Sequence, residues 1–317
     1  MLSAIYGSRR PRRPPSALEQ HRANRCSRPF RLADFGAWAA RKSQDAEPTA
    51  PIARVGANVP LVVRSSASLT SPDDQVRDGL LPVDWPALLA AGHPDPRIRD
   101  TPFMDALHRI AGPLVRQAFA PEAGRRDRIV LVTSAGPAEG RTFVAISLAL
   151  GLARRRPVLL VDADPGAAGI AARFGLTAAK GLGDALADPA LGTDRLIART
   201  ELDRLALLGP GGPRPDRLRL IASRRTVRVL RELLAADPGG LVLIDAPPLC
   251  RPEGQALALF AGQVALVVAA GSTPRGAVET ALERLGERPN VSLLLNRAGA
   301  TQPLLRNAGG EGRAAAP

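Results

Sequence analysis

The chain has 317 residues and a formal net charge of +13, from 43 lysine and arginine residues against 30 aspartate and glutamate residues. This length accommodates a domain of about 200 residues with additional segments. The basic balance suits an anionic membrane or nucleic-acid partner, but the sequence has no RNA-binding motif and no basic stripe interleaved with aromatic residues. We therefore expect no specific nucleic-acid binding.

Cysteine and histidine usage excludes two further classes of protein. Two cysteines and three histidines without ligand spacing rule out a disulfide framework and a zinc site. No apolar run approaches the roughly 18 residues of a membrane-spanning helix, and the basic N-terminus lacks the apolar segment of a signal peptide. We expect a soluble, cytoplasmic chain.

Residues 1–100 are rich in arginine and proline, as in SRRPRRPPS, and are predicted to be largely disordered. A tail without a role, or an over-extended gene start, is favoured over a contact with acidic lipid or polyanions. The composition changes from VDWPALLAAG (83–92) onward. Residues 101–124 carry apolar side chains at helical spacing, which predicts a helix with a kink at Pro113. This pre-loop helix packs either on the following domain or on a neighbouring subunit.

From residue 125 onward, short apolar runs alternate with helical stretches. Six runs predict strands, at 129–133, 157–162, 204–209, 241–245, 263–270 and 291–296. Their continuous apolar character is typical of strands covered on both faces of a parallel sheet, with helices as crossovers. We predict a three-layer α/β/α domain with a mostly parallel sheet over 125–300, followed by a disordered tail over 301–317.

The segment TSAGPAEGRT (133–142) follows the first predicted strand and resembles a phosphate-binding loop. The usual pattern reads G/A-x-x-x-x-G-K-[ST]; Ala135, Gly140 and Thr142 match it, whereas Arg141 takes the place of the lysine. Backbone N–H groups in such a loop converge on a phosphate at a helix N-terminus. The Thr142 hydroxyl is then available to Mg²⁺. With this loop, the predicted α/β/α domain is P-loop NTPase-like.

Three aspartates lie at or just beyond the ends of predicted strands. VLLVDAD ends in Asp162 and Asp164, and LVLIDAPP contains Asp245. Because ligands of open parallel sheets bind beyond the carboxyl ends of the strands, these side chains and the loop are expected to line one crevice. Carboxylates there suit Mg²⁺ or the acceptance of a proton from an attacking hydroxyl. A turn or helix cap is the alternative role for each of them, and the combination favours a nucleotide site.

Together these segments are similar to the Walker A, Walker A′ and Walker B motifs of the bacterial tyrosine kinases that regulate capsule and exopolysaccharide synthesis, within the MinD/ParA-like P-loop class. The loop of that family commonly reads P-x-E-G-K-[ST], which Pro137, Glu139, Gly140 and Thr142 match. The segments GLGDAL, GSTPRGAVETAL and LLLNR resemble further parts of the kinase domain. The pre-loop helix resembles that of the exosortase-associated autokinase branch.

The resemblance implies ATP and Mg²⁺ as cofactors and assigns residues to them. It implies nucleotide-binding roles for Gly136, Pro137, Ala138, Glu139, Gly140, Arg141, Thr142, Phe143, Asn296 and Arg297, the last two near the adenine. It implies Thr142, Asp162 and Asp245 as magnesium ligands, and Asp164, Asp162 and Arg141 as catalytic residues, with Asp164 as the base. Its implied partner is a membrane-bound polysaccharide co-polymerase, chain-length or export protein. A homo-oligomer, and a peripheral position at the inner face of the plasma membrane, are left open.

Departures from the family pattern decide between the functions considered. Arginine at position 141 keeps the charge but is longer and planar where a compact ammonium is expected. The only tyrosine is Tyr6, so a C-terminal tyrosine cluster for autophosphorylation is missing. These features favour an ATP-binding, tyrosine-kinase-like regulator of exopolysaccharide or capsule biosynthesis and export, with weak or lost catalysis.

Two alternatives remain open: an active ATPase or protein tyrosine kinase acting on a partner, and a ParA/MinD-like partitioning or positioning ATPase. The second lacks its usual lysine at the loop start, where this chain has Gly136. The arginine-rich segment 211–233 is interpreted as a solvated helix face rather than as a docking surface.

Overall fold

A computed structural model describes residues 54–55, 80–98, 101–165, 169–176, 180–286 and 290–298. The predictions for most of 1–100 and for the tail 301–317 fall outside these described residues.

The described chain is organised around one eight-stranded sheet in the order β1-β8-β7-β2-β6-β3-β5-β4. The strands are β1 Arg54–Val55, β2 Ile129–Ser134, β3 Val158–Asp162, β4 Ala198–Arg199, β5 Leu205–Leu208, β6 Leu241–Asp245, β7 Gln263–Ala269 and β8 Val291–Asn296. Neighbouring strands are parallel, except that β4 pairs antiparallel with β5. All six predicted strands are present, and β1 and β4 are short additions at the two edges.

The strands are apolar because both faces of the sheet are covered. Every residue of β2, β3, β5, β6 and β7 is buried. Successive side chains of a strand point to opposite faces, so Leu131 lies in one hydrophobic cluster and Val130 and Val132 lie in the other. This arrangement confirms the predicted mostly parallel sheet, covered on both faces.

Helices form the two outer layers. They are α1 Trp85–Ala90, α2 Pro102–Ala118, α3 Arg141–Ala153, α4 Ile170–Arg173, α5 Leu182–Ala187, α6 Arg217–Ile221, α7 Arg224–Ala235, α8 Pro252–Ala258 and α9 Arg275–Leu285, with 3-10 turns at Arg125–Arg128 and Thr193–Leu196. Buried residues of α1 to α4 share one cluster with the sheet, and those of α5 to α9 share the other. None of the helices in the described ranges is both long and apolar enough to cross a membrane.

The pre-loop helix α2 packs on the domain itself. Thr101 caps its start by accepting a hydrogen bond from the Met104 amide at 3.1 Å, and Pro113 lies within it. Its buried face belongs to the same cluster as α3, and Leu107 approaches α3 so closely that a Cβ added at Gly151 would lie 3.6 Å from it. Of the two packing partners predicted for this helix, the structure shows the domain.

The segment 80–98, which precedes α2, also packs on the domain. Leu81 forms an isolated bridge with Thr200 beside β4, and Leu88 of α1 is buried in the cluster that covers α3. The Trp85 indole donates to Glu201 at 2.6 Å. This part of the predicted disordered region therefore contributes to the described fold.

Candidate nucleotide site

The phosphate-loop segment joins β2 to α3 through a left-handed glycine. Gly140 caps α3 with a φ of 90°, a conformation that glycine adopts without steric cost. A Cβ at this position would also lie 2.1 Å from Nδ2 of Asn296. Backbone conformation and close contact therefore both require glycine here.

Side chains at both ends of the loop hold its backbone. The Ser134 hydroxyl donates to the carbonyl of Gly136 at 2.6 Å, and the Gly136 amide donates to Oε1 of Glu139 at 3.0 Å. Burial raises the pKa of Glu139, and the hydrogen bond from Gly136 opposes that rise. In the described part of the chain, no partner accepts from the amides of 138–142. Free N–H groups at a helix N-terminus are the donors that bind phosphate.

Arg141, the residue in the lysine position, crosses from α3 to the ends of two strands. Its Nη1 donates to the carbonyl of Ala246, just beyond β6, and its Nη2 donates to Oδ2 of Asp164 at 2.9 Å. The Arg141 and Asp164 side chains are only 12% and 18% exposed. The structure thus places two of the three predicted catalytic residues, Arg141 and Asp164, in direct contact.

Asp162 lies at the end of β3 and is buried. Its Oδ1 accepts from the Asp164 amide at 3.1 Å, and its Oδ2 accepts from the Ala171 amide at 3.2 Å. Burial raises the pKa of Asp162, while these backbone donors act in the opposite direction. The turn and capping role that the sequence left as an alternative is therefore present, in a side chain that also faces the other aspartates.

Asp245 is the neighbour of Asp162 across the pairing of β3 with β6. It is 1% exposed, and burial raises its pKa to about 7, against the lowering effects of the Thr142 hydroxyl and the Arg141 charge. Within the described ranges neither carboxylate oxygen has a partner in hydrogen-bond geometry. A buried carboxylate of this kind suits a cation or its bound water.

The three predicted magnesium ligands would hold the ion only together with further ligands from phosphate and water. Across the described residues there is no group of three or more His, Cys, Asp or Glu side chains arranged to hold a metal ion. Mg²⁺ is commonly held by one or two carboxylates together with phosphate oxygens and water. Thr142, Asp162 and Asp245 are compatible with that arrangement, and the unpartnered oxygens of Asp245 are the observation in its favour.

Asn296 and Arg297 end β8 beside the loop. Nδ2 of Asn296 donates to the carbonyl of Glu139 at 2.9 Å, and its Oδ1 accepts from the Arg297 amide at 2.9 Å. Both ends of this amide thus bind backbone, so Asn296 holds the loop in place. Arg297 has a φ of 58° and is exposed. Their predicted contact with adenine remains a prediction.

Sequence reasoning missed two arginines at this site. Arg251 lies 3.4 Å from Asp164 through its Nη1, so that Asp164 is shared by two guanidinium groups. Arg217 of α6 is 7% exposed and donates from Nη2 to the carbonyl of Ala163 at 3.0 Å. It comes from the segment interpreted as a solvated helix face. No local pattern distinguishes it there, since its burial depends on β5 lying next to β3.

Comparison with known proteins agrees with this geometry. No protein-family model matches the chain. A stretch of 163 residues is 29% identical to Tyrosine-protein kinase YwqD of Bacillus subtilis (strain 168), covering 51% of this chain and 68% of that protein. The kinase domain of the Escherichia coli tyrosine kinase ETK matches with a TM-score of 0.55 and 21% identity, over 65% of this chain and 80% of that one.

A second solved structure, the kinase domain of VpsO, matches with a TM-score of 0.53 and 27% identity, over 61% of this chain and 94% of that one. The chain is therefore similar to the bacterial tyrosine kinases in sequence, and it has the fold of their kinase domains.

Proposed function

We propose that this chain is an ATP- and Mg²⁺-binding, tyrosine-kinase-like regulator of exopolysaccharide or capsule biosynthesis and export, in which catalysis is weak or lost. The similarity to tyrosine kinases supports the kinase-like character. The proposal of weak or lost catalysis rests on one observation: Arg141 stands in place of the loop lysine and pairs with Asp164.

The proposed nucleotide arrangement uses the loop and the strand ends. The free amides of 138–142 and the neighbouring Gly136 surround the β-phosphate, and Arg141 neutralises charge on the outer phosphates. Thr142, Asp162 and Asp245 hold Mg²⁺ jointly with phosphate oxygens. Bound ATP supplies a transferable phosphoryl group.

Two contacts of Asp164 support weak catalysis. As the proposed base, Asp164 must accept a proton from an attacking hydroxyl, but its oxygens face Arg141 at 2.9 Å and Arg251 at 3.4 Å. Each of its oxygens already accepts from a guanidinium, which must move away before an attacking hydroxyl can take its place. Arg141 must also leave this contact to reach a phosphate, and its planar group replaces the compact ammonium of a lysine.

The proposed role is to signal nucleotide state to a membrane-bound co-polymerase, chain-length or export protein. In this proposal the chain is cytoplasmic, and it reaches the inner face of the plasma membrane through that partner. The support is the similarity to bacterial tyrosine kinase domains.

An active ATPase or protein tyrosine kinase that acts on a partner is the second candidate. The convergence of Asp162, Asp164 and Asp245 at neighbouring strand ends favours it, because these are the carboxylates that phosphoryl transfer requires. The two candidates share one site and differ only in turnover.

Calorimetric titration with Mg²⁺ and ATP, combined with a phosphate-release assay, tests the proposal. Asp245→Asn is the informative variant, since it removes the charge beside Thr142 and Arg141 and keeps the size of the side chain; exposed Asp203→Asn is the matched control. We expect binding by the wild type and by Asp203→Asn, weaker binding by Asp245→Asn, and turnover only after Arg141→Lys. Wild-type turnover equal to that of Arg141→Lys would establish the second candidate, and no wild-type binding at millimolar ATP would reject both.

A further inference from the structure

Arg217 brings a buried positive charge to the ends of the central strands. It is the first residue of α6, which follows β5, and only 7% of its surface is exposed. Its Nη2 donates to the carbonyl of Ala163, the residue between Asp162 and Asp164. The guanidinium therefore lies directly beside the carboxylates of the candidate site.

Most of the hydrogen-bonding capacity of this guanidinium is unused. Its Nε and Nη1 atoms are buried, and neither has a hydrogen-bond partner among the residues that the structure describes. Burying charged donors without partners is costly in free energy. A purely structural arginine usually avoids this cost by binding backbone carbonyls.

Arg225, in the next helix, shows the structural alternative. Its Nε donates to the carbonyl of Ala185 at 2.8 Å, and its Nη2 donates to the carbonyl of Asp188. Arg225 thus joins α7 to the end of α5, away from the aspartates. Arg217 instead makes one such bond, to Ala163, and leaves its Nε and Nη1 without partners among the described residues.

Acidic side chains account for part of the placement of Arg217. Asp162, Asp164 and Glu253 are close enough to raise its pKa, although burial has the larger effect and lowers it. None of the three accepts a hydrogen bond from Arg217 within the described ranges. Its free donors are therefore available to a further anion.

The order of the strands indicates which part of a nucleotide Arg217 would reach. The phosphate loop follows β2, the aspartates end β6 and β3, and Arg217 follows β5, the next strand along. Arg217 thus lies on the far side of the aspartates from the loop. In the proposed binding mode the loop amides hold the inner phosphates, so the outermost phosphate is the one that would lie nearer to Arg217.

We infer that Arg217 is a phosphate-binding residue of this site, with its free guanidinium donors directed at the terminal phosphate of a nucleoside triphosphate. It would then distinguish the triphosphate from the diphosphate. The inference rests on the proposed nucleotide binding and adds the residue that senses the nucleotide state.

Binding of ATP and ADP, each with Mg²⁺, to the full chain tests this assignment by calorimetry. In Arg217→Gln we expect the affinity for ATP to fall about tenfold or more, as for a lost charged hydrogen bond, and the affinity for ADP by less than about threefold. Arg217→Lys, which keeps the charge, should fall between the wild type and Arg217→Gln. Arg225→Gln is the matched control. We expect it to lower the unfolding temperature and to leave the ratio of the ATP and ADP affinities unchanged.

The ratio of affinities separates binding from folding effects. An Arg217→Gln variant with the wild-type ATP-to-ADP ratio, whether both affinities fall together or neither changes, would show that the residue is structural. If Arg217→Gln does not fold, Arg217→Lys decides. An ATP-to-ADP affinity ratio equal to that of the wild type overturns the inference, and a lower ratio supports it. Wild-type protein that binds neither nucleotide would reject the proposed function itself, whereas binding of both with an unmoved ratio rejects only the role of Arg217.

Discussion

The guanidinium of Arg141 is shared between the Asp164 carboxylate, 2.9 Å from Nη2, and the carbonyl of Ala246. This pair is mostly buried, so water screens it less than a surface ion pair. The donors that face Asp164 cannot serve a phosphate at the same time. Nucleotide binding and the release of Asp164 are therefore expected to be coupled.

Replacing Asp164 with asparagine tests this coupling. Asp164→Asn removes the charge that holds Arg141, so we expect affinity for ATP with Mg²⁺ to rise about threefold to tenfold, equivalent to roughly 1 kcal/mol. Calorimetry at constant ionic strength gives the value. Glu253→Gln is the control, because Glu253 pairs with Arg251 rather than with Arg141. Equal gains in both variants would indicate general relief of charge repulsion instead.

The loop glycine allows a test of local geometry. Gly140→Ala introduces a side chain at a φ of 90° and within 2.1 Å of Asn296 Nδ2. We expect a loss of about 1–2 kcal/mol of stability from the backbone strain alone, and a larger loss from the contact. Urea unfolding measures the sum, and Gly212→Ala, where no atom lies within 4 Å of the added Cβ, should have little effect.

A double variant separates the two contributions at Gly140. Asn296→Ala removes the side chain that the new Cβ would meet, together with the hydrogen bond to Glu139. Gly140→Ala combined with Asn296→Ala should therefore be less destabilised than the sum of the single variants. If the two losses of stability simply add, the structure has moved to relieve the contact between the new Cβ and Asn296. Backbone strain alone would then explain the loss at Gly140.

The central sheet could be predicted from the sequence because burial on both faces demands continuous apolar runs. The edge strand Ala198–Arg199 could not, since two residues paired antiparallel with β5 leave no periodic pattern. The aspartates were placed correctly as a group at the strand ends because the carboxyl ends of parallel strands share one edge. The hydrogen-bond partners of these aspartates could not be predicted from the sequence pattern.

Long-range contacts are the part that sequence patterns do not contain. Arg217 lies in a run of arginines, and only the neighbouring positions of β3 and β5 bring it to Ala163. His93 has no ligand spacing in the sequence, yet its ring stacks on Phe143, with the two ring centroids 4.7 Å apart. In both cases the partner is far away in the chain, and the fold decides the contact.

The pre-loop helix is expected to stabilise the domain. Leu107 is 1% exposed and packs against α3 at Gly151. Leu107→Ala should reduce the free energy of unfolding by about 2–5 kcal/mol, because a buried cavity adds to the lost apolar burial. Arg109→Ala, an exposed change on the same helix, should stay within about 0.5 kcal/mol. Equal, small effects on urea unfolding would mean that this helix is not part of the cooperative fold.

His93 predicts how stability depends on pH. Its Nδ1 shares a hydrogen bond with the Ser147 hydroxyl at 3.0 Å. Burial, with a smaller effect from the Arg173 charge, lowers the pKa of His93 from 6.5 to about 3. The unfolded chain therefore gains a proton at this residue below about pH 6.5 that the folded chain refuses until about pH 3. The stability contributed by neutral His93 is thus lost as the pH falls through this window, by about 2 kcal/mol between pH 7 and pH 5.

Urea unfolding of the wild type and of His93→Gln at pH 7 and pH 5 measures this term. We expect the wild type to lose about 2 kcal/mol more than His93→Gln between the two pH values, because glutamine does not titrate. His108→Gln is the matched control: burial also lowers the pKa of His108, but that side chain is less buried, so most of the wild-type pH dependence should remain. An equal loss in the wild type and His93→Gln would mean that the His93 ring accepts a proton within the fold. In that case apolar contacts, and not the burial of a neutral imidazole, would hold the segment 80–98 on α3.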